Sequence, residues 1–197
     1  MNHCDCLKYI VLVLLCLLAS APSSVSAESQ HNYSNKEFGF GFQYPASWGE
    51  SPPLALNARV KLVSPVGSPH AECTVIVKRY PHADSAKQSD IDQVFTARPS
   101  VAELKEILSQ GASDVDVLEA GTGKLHSRPA HLARVRYITG TLFGNAYASG
   151  RVVMTATPGL TWTLSCSGQG ATPAEAEKSY QSWQGEIDNI ASSFRFK

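Results

Sequence analysis

The chain has 197 residues, of which 17 are basic, 17 are acidic and 43% are hydrophobic, so its formal net charge is zero. This balance excludes the strongly basic footprint of nucleic-acid-binding proteins and gives no strong attraction to anionic lipid. No internal repeat or low-complexity linker divides the chain, and its length is sufficient for one domain with a substantial core.

The first 27 residues are predicted to be a signal peptide and not part of the fold. Lys8 precedes an apolar run at 9–18, and small residues follow up to a suitable cleavage site after Ala27. The run is shorter than the roughly 20 residues that span a bilayer, which disfavours the alternative of an uncleaved anchor. Cys16 raises the alternative of a lipoprotein, but leucines precede it where small residues are typical. We expect a mature single domain, 28–197, that is periplasmic or secreted and has no transmembrane segment.

Aromatic residues mark the first strand of the mature chain. They alternate with small or polar residues at four positions: Phe38, Phe40, Phe42 and Tyr44. A period of two places all four rings on one face of a strand. Pro45 ends this strand and Trp48 follows shortly after. The rings are predicted either to found the core or to line a groove.

Proline and glycine are dense between residues 51 and 69, which predicts loops of the same domain around a short strand at 59–64. A second strand is predicted at 72–80, where β-branched residues predominate. The region 85–111 is predicted to be helical, with a short helix at 90–96 and a second helix after it.

The second of these helices has clear boundaries. Ser100 and Glu103 form a capping box at its start, and Gly111 is placed to end it. Strands then return in series, at 115–119, 123–127, 130–139, 145–157 and 160–167. The turn Thr157-Pro158-Gly159 pairs the last two as a hairpin. Such short connections predict an antiparallel sheet.

The final helix begins at Thr172, an N-cap residue followed by Pro173 and Glu175. Its apolar residues recur at intervals of three and four: Tyr180, Trp183, Ile187, Ile190 and Phe194. This single stripe is predicted to pack on the sheet. Because it matches the aromatic strand, we expect most of the rings on that strand to be buried core. An antiparallel sheet with helices packed on its faces is an α+β sandwich.

Residues at the two ends of the mature chain carry a family resemblance. The pattern Tyr33-x-Asn35…Phe38-x-Phe40-x-Phe42-x-Tyr44-Pro45-x-x-Trp48 resembles the opening of PsbP-like domains, and Ile187-x-x-Ile190…Ser193-Phe194-Arg195 resembles their final helix. The resemblance implies the Mog1/PsbP-like α-β-α sandwich and a non-enzymatic role at an extracytoplasmic face, as in bacterial exported relatives of unassigned role. It does not imply a photosystem function, because the long charged arm of the plant subunits is missing.

Removing the signal peptide leaves two cysteines, Cys73 and Cys166. An even pair in an exported chain is most simply a disulfide, and two buried free thiols are the alternative. Both cysteines alternate with apolar residues on predicted strands. A bridge between them closes a long loop, for which chain entropy gives about 4–5 kcal/mol.

Three arginines form a candidate ligand-binding patch. Arg134 and Arg136 share a strand face, and Arg151 lies on the neighbouring predicted strand. If the register aligns them, they are suited to hold a carboxylate or phosphate group. The alternative is a solvated sheet face with local ion pairs.

Two histidines, His126 and His131, bracket a predicted turn and form a candidate metal site. Imidazole is a common ligand of zinc and copper, but the spacing fixes no third ligand, so solvated loop histidines are the alternative. The sequence contains no nucleophile elbow and no dinucleotide fingerprint, and no cofactor is expected.

The leading functional hypothesis is a monomeric, non-enzymatic accessory domain that docks on a protein partner at the cell envelope. Its candidate docking surface is the exposed part of the aromatic segment together with the loops at 51–69. The alternative function is a periplasmic carrier of a small ligand or metal ion, which would use the aromatic face, the arginines or the histidines.

Overall fold

The computed structural model describes residues 29–141 and 144–197. The predicted signal peptide lies outside them, and its boundary stays a prediction. The described residues form two antiparallel sheets with α-helices packed on them, which confirms the predicted α+β class.

The strands are β1 (Gln30–Asn35), β2 (Phe40–Pro45), β3 (Gly49–Ser51), β4 (Ala58–Val63), β5 (Ala71–Arg79), β6 (Ser113–Leu125), β7 (Arg128–Thr141), β8 (Gly144–Thr157), β9 (Leu160–Gly170) and β10 (Arg195–Phe196). The helices are α1 (Gln88–Thr96), α2 (Val101–Leu108), α3 (Pro173–Ser182) and α4 (Gln184–Ser193), with a 3-10 turn at Pro81–Ala83.

The large sheet has the strand order β3-β4-β5-β9-β8-β7-β6, and the small sheet has the order β1-β2-β10. Neighbouring strands are antiparallel in both sheets, as the short connections predict. The predicted hairpin between β8 and β9 is confirmed. Gly159 makes this turn possible because it adopts a φ of 71°, where a side chain is strained.

The two faces of the large sheet are unlike. One face, which we call the sealed face, carries residues such as Val75 and Leu164 and is covered by the small sheet, α3 and α4. The opposite face, which we call the open face, carries Thr74 and Thr163. On the open face α1 and α2 lie over β6, β7 and β8, so β5 and β9 stay partly accessible there.

The main core lies between the sealed face and its covering layer. Phe40, Ile190 and Phe194 are fully buried within it, and the rings of Phe40 and Phe194 stack with centroids 5.5 Å apart. The prediction that most of the aromatic strand is core is therefore confirmed. A smaller cluster on the open face joins Leu104 of α2 to Val135 of β7.

The aromatic strand is shorter than predicted. It begins at Phe40, because Gly39 adopts a φ of 65° and turns the chain just before it. Phe38 is buried outside the strand, with the guanidinium carbon of Arg59 4.3 Å from its ring centroid. Three rings, not four, therefore share the strand.

Two of the predicted strands, at 115–119 and 123–127, are one strand in the structure. Gly121 and Gly123 pair with β7 as ladder residues instead of forming a turn. The register shifts between Val117 and Glu119, which is a β-bulge that keeps the long strand paired while it bends.

The single final helix predicted from the apolar stripe is two helices. Trp183 separates them with a φ of −115° and a ψ of 10°, which are not helical values. Its indole nitrogen donates a hydrogen bond to the Pro69 carbonyl at 2.7 Å, and its ring packs against Trp48. Trp183 still packs against the main core, but the helix is interrupted where these tertiary contacts hold its side chain.

Candidate functional site

The three predicted arginines come together on the sealed face. In the pairing of β7 with β8, Arg134 lies directly opposite Arg151, and Arg136 lies opposite Ser149. All three therefore point from the same side of the sheet toward α3 and α4. The close approach of α3 depends on Gly168, since a Cβ there would lie 2.6 Å from the carbonyl carbon of Ser179.

The carboxylate of Glu177, on α3, binds two of the arginines. Arg134 donates from one nitrogen to both carboxylate oxygens at 2.8 Å, and Ser149 donates its hydroxyl at 2.6 Å. Arg136 lies 3.6 Å from the same carboxylate. The guanidinium of Arg134 also lies 4.0 Å from the ring centroid of Tyr180, which is a cation–π contact.

These contacts determine the protonation states of Glu177 and Tyr180. Burial alone would raise the pKa of Glu177, but the hydrogen bond from Ser149 and the charge of Arg134 outweigh it and lower the pKa. Burial raises the pKa of the Tyr180 phenol, against the opposing charge of Arg134. Glu177 is therefore ionised and Tyr180 neutral at physiological pH.

The third arginine is paired as well. Arg151 donates to Asp188 of α4 at 2.8 Å. A groove of about 440 Å³ remains beside these pairs, and Glu119 and Gln184 line it. Because each guanidinium already lies beside a carboxylate of α3 or α4, the arrangement suits anchoring of these helices to the sheet better than capture of an anion.

Sequence reasoning missed the two acidic partners, Glu177 and Asp188. A signal for both was present, since Glu177 lies three residues before Tyr180 and Asp188 directly follows Ile187. Each therefore lies beside the apolar stripe, from which a carboxylate reaches the edge of the contact between helix and sheet. Pairing them with particular arginines required the register of β7 with β8.

The two candidate metal ligands contact different elements. The Nδ1 atom of His126 accepts a hydrogen bond from the backbone N–H of Phe196, at 3.3 Å. His131 places Nε2 3.1 Å from the Ala97 carbonyl oxygen, and its ring packs against Phe95 of α1. Within residues 29–141 and 144–197 no group of three or more His, Cys, Asp or Glu side chains is arranged to hold a metal ion.

Cys73 and Cys166 form a disulfide. They lie directly opposite each other on β5 and β9, with Cα atoms 4.1 Å apart, and both are buried on the sealed face. The bridge joins the two strands at the centre of the large sheet. Among the helices described, none is long and apolar enough to cross a bilayer.

The predicted docking surface is only partly exposed. The rings of Phe40, Phe42 and Tyr44 are buried, so the aromatic segment contributes little to it. The exposed apolar residues lie on the loops instead, since Leu54 and Leu56 are each 89% exposed. Val66 is also fully exposed, but it lies on the loop at the other end of β4.

Comparison with solved structures confirms the fold. The chain is similar to cyanobacterial PsbP (CyanoP) from Synechocystis sp. PCC 6803, with 17% identity over 91% of this chain and 99% of that chain and a TM-score of 0.55. Weaker likenesses include LpqN, involved in cell envelope biogenesis of Mycobacterium tuberculosis, with 9% identity over 86% of this chain and 91% of that chain (TM-score 0.48). They also include the Ran-binding protein Mog1p of Saccharomyces cerevisiae, with 9% identity over 86% of this chain and 96% of that chain (TM-score 0.47). No protein-family model and no curated protein matches the chain.

Proposed function

We propose that the protein is an exported, non-enzymatic accessory domain that docks on a partner protein at the cell envelope. The observation that carries this proposal is the exposure of Leu54 and Leu56, which leaves two large apolar side chains in water on one loop. Burial of a leucine side chain is worth about 1.5–3 kcal/mol. A partner that covers both leucines recovers this free energy on binding.

The loop that carries the leucines is attached to the sheet on both sides. It joins β3 to β4, and the backbone N–H of Ala58 donates to the Ala55 carbonyl at 3.1 Å. The Asn57 carbonyl accepts a hydrogen bond from Val77 of β5 at 3.0 Å. These bonds limit the entropy that the loop loses on binding, which favours a specific interface.

Four further points support the proposal. The fold is similar to that of cyanobacterial PsbP, and the formal net charge of zero favours a protein partner over nucleic acid. The buried disulfide is typical of a protein that folds in an oxidising compartment. The predicted signal peptide accords with export.

The alternative of a carrier that uses the arginines or the histidines lacks such support. Arg134, Arg136 and Arg151 are already paired with carboxylates. His126 and His131 contact different elements. The docking proposal therefore stands as the preferred function.

Site-specific photo-crosslinking in the native host tests the proposal. We expect a photoreactive residue at Leu54 or Leu56 to form one discrete adduct with an envelope protein. The matched control is Val66, which is equally exposed but lies at the other end of β4. Absence of an adduct at both leucines, or the same adduct from Val66, contradicts the proposal.

A double variant, Leu54→Ser with Leu56→Ser, supplies a second measurement. Both side chains are exposed, so stability is expected to change by no more than about 0.5 kcal/mol each. The captured partner is expected to disappear from pull-downs with the folded variant, and its retention at the wild-type level contradicts a role for the loop.

A further inference from the structure

A cleft of about 220 Å³ lies on the open face, where the helices leave β5 and β9 uncovered. Its floor is formed by alternate residues of these strands, among them Thr74, Ile76 and Thr163. Leu108, at the end of α2, forms one wall, and Ala55, on the loop between β3 and β4 that carries Leu54 and Leu56, borders the other side. The cleft is thus apolar along its body, with hydroxyl groups on its floor.

One end of the cleft is polar and contains two titratable side chains, Glu72 and Tyr137. The Glu72 side chain is only 16% exposed, and both its ion pair with Lys61 and its 3.9 Å contact with His70 use Oε2. The Oε1 atom therefore keeps the capacity to accept a hydrogen bond from a ligand. The Tyr137 hydroxyl donates to Ser167 at 3.1 Å, which leaves its oxygen as an acceptor.

The protonation states of Glu72 and Tyr137 favour a ligand that donates a hydrogen bond. Burial alone would raise the pKa of Glu72, but the neighbouring His70 and Lys61 side chains outweigh it and lower the pKa. Burial raises the pKa of the Tyr137 phenol. At neutral pH this end of the cleft therefore presents a carboxylate and a neutral phenol oxygen as acceptors.

We propose that the cleft binds a small molecule with an apolar body of about one ring and a hydrogen-bond-donating head, an amine or an alcohol. The ring lies against Ile76 and Leu108, and the head donates to Glu72 or Tyr137. An apolar cavity of about 150 Å³ accommodates benzene, so 220 Å³ accommodates a ring with a short head group. A carboxylate head has no proton to donate to these acceptors. Ala55 of the loop between β3 and β4 borders the cleft, but the proposal does not rest on the docking function, and its test uses small-molecule probes alone.

Binding of three related probes tests the ligand class. 2-Phenylethylamine, 2-phenylethanol and 3-phenylpropionate share the ring and differ in the head group. By ligand-observed NMR and calorimetry on the purified protein, we expect the amine and the alcohol to saturate with a Kd of about 1 mM or tighter, a typical value for a ligand of this size. We expect no saturable binding of the carboxylate. Equal binding of all three probes, or of none, overturns the proposal.

Substitutions locate the site. Thr163→Trp fills the cleft from its floor and is expected to weaken binding of the amine at least tenfold. Gln181→Trp fills the arginine groove on the other face and is the matched control, with no expected change. If Thr163→Trp fails to fold, Ile76→Trp fills the cleft from the neighbouring strand. Unchanged affinity in a folded cleft-filling variant overturns the assignment.

Glu72→Gln tests the polar end. In the wild type the Glu72 carboxylate is expected to favour the charged amine over the alcohol. Removing the charge is expected to reduce this preference to within about threefold, since the amide still accepts a hydrogen bond but attracts no cation. A preference for the amine that persists in this variant contradicts the placement of the head group beside Glu72.

Discussion

The sealed and open faces of the large sheet are built from the same strands, yet they differ in every property that matters for binding. On β5, Cys73 and Val75 point into the aromatic core, while Glu72 and Thr74 point to the open face. The alternation of a β-strand produces both faces from one stretch of sequence. The sealed face packs against the small sheet, α3 and α4, whereas α1 and α2 leave part of the open face accessible.

Polar residues show the same difference. On the sealed face Arg134 and Ser149 are engaged with Glu177 of α3, so even the polar positions serve the packing of a helix. On the open face Thr74 and Thr163 line a cleft that no helix fills. A polar side chain under a helix is a structural element, and a polar side chain in a cleft is a candidate ligand contact.

The largest expected difference between the faces is in how much the free energy of unfolding falls when an apolar side chain is truncated to alanine. Phe40→Ala is expected to lower the free energy of unfolding by about 3–5 kcal/mol, because the ring is fully buried among other rings. Ile76→Ala, on the half-exposed floor of the cleft, is expected to cost about 1 kcal/mol. Urea unfolding of both variants measures the contrast, and equal costs contradict the distinction between the faces.

Removal of the disulfide tests how far the sealed face depends on a covalent bond. The bridge spans 93 residues of sequence, and replacing both Cys73 and Cys166 by Ala is expected to lower the free energy of unfolding by about 2–4 kcal/mol. The wild type under reducing conditions is the control and is expected to lose a similar amount. A loss below about 0.5 kcal/mol shows that the packed layers alone hold these strands together.

The smallest expected effect on the free energy of unfolding comes from removing the charge of Glu177 or Glu72, and it depends on pH. Glu177→Gln is expected to cost about 1–2 kcal/mol at pH 7, because it removes a charge-assisted pair that is partly exposed. The folded pKa of Glu177 lies below that of the unfolded chain, about 4.3, so the stabilisation is present above that pH. It is lost as the pH falls through the folded pKa.

The difference in stability between wild type and Glu177→Gln should therefore shrink below about pH 4. Glu72→Gln is the counterpart on the open face. Its stability difference from wild type should also shrink on acidification, because the folded pKa of Glu72 is lowered as well. Urea unfolding from pH 3 to pH 7 measures both. A difference that grows on acidification contradicts the ion-pair assignment.

Much of the fold was predictable from local patterns. The capping box at Ser100 and Glu103 begins α2 as predicted, and the N-cap Thr172 with Pro173 begins α3. Gly159 turns the last hairpin. Each of these signals depends only on residues within a few positions of one another, so it can be recognised in the sequence alone.

The errors have long-range causes. Trp183 fits the helical stripe in sequence, but the Pro69 carbonyl and the Trp48 ring lie far away along the chain and decide its conformation. Residues 120–122 were predicted to separate two strands, yet pairing with β7 keeps Gly121 within the single strand β6. Local propensity is weak compared with tertiary contacts of this kind.

The sequence by itself determined the class of the fold, the aromatic core and the starts of α2 and α3, because period and capping are local properties. The tertiary structure decided which surfaces remain free. Three arginines that form an open patch in sequence are paired with Glu177 and Asp188, and the cleft at Glu72 and Tyr137 exists because α1 and α2 stop short of β5 and β9. A binding surface is what packing leaves uncovered, and packing depends on residues that are distant in the chain.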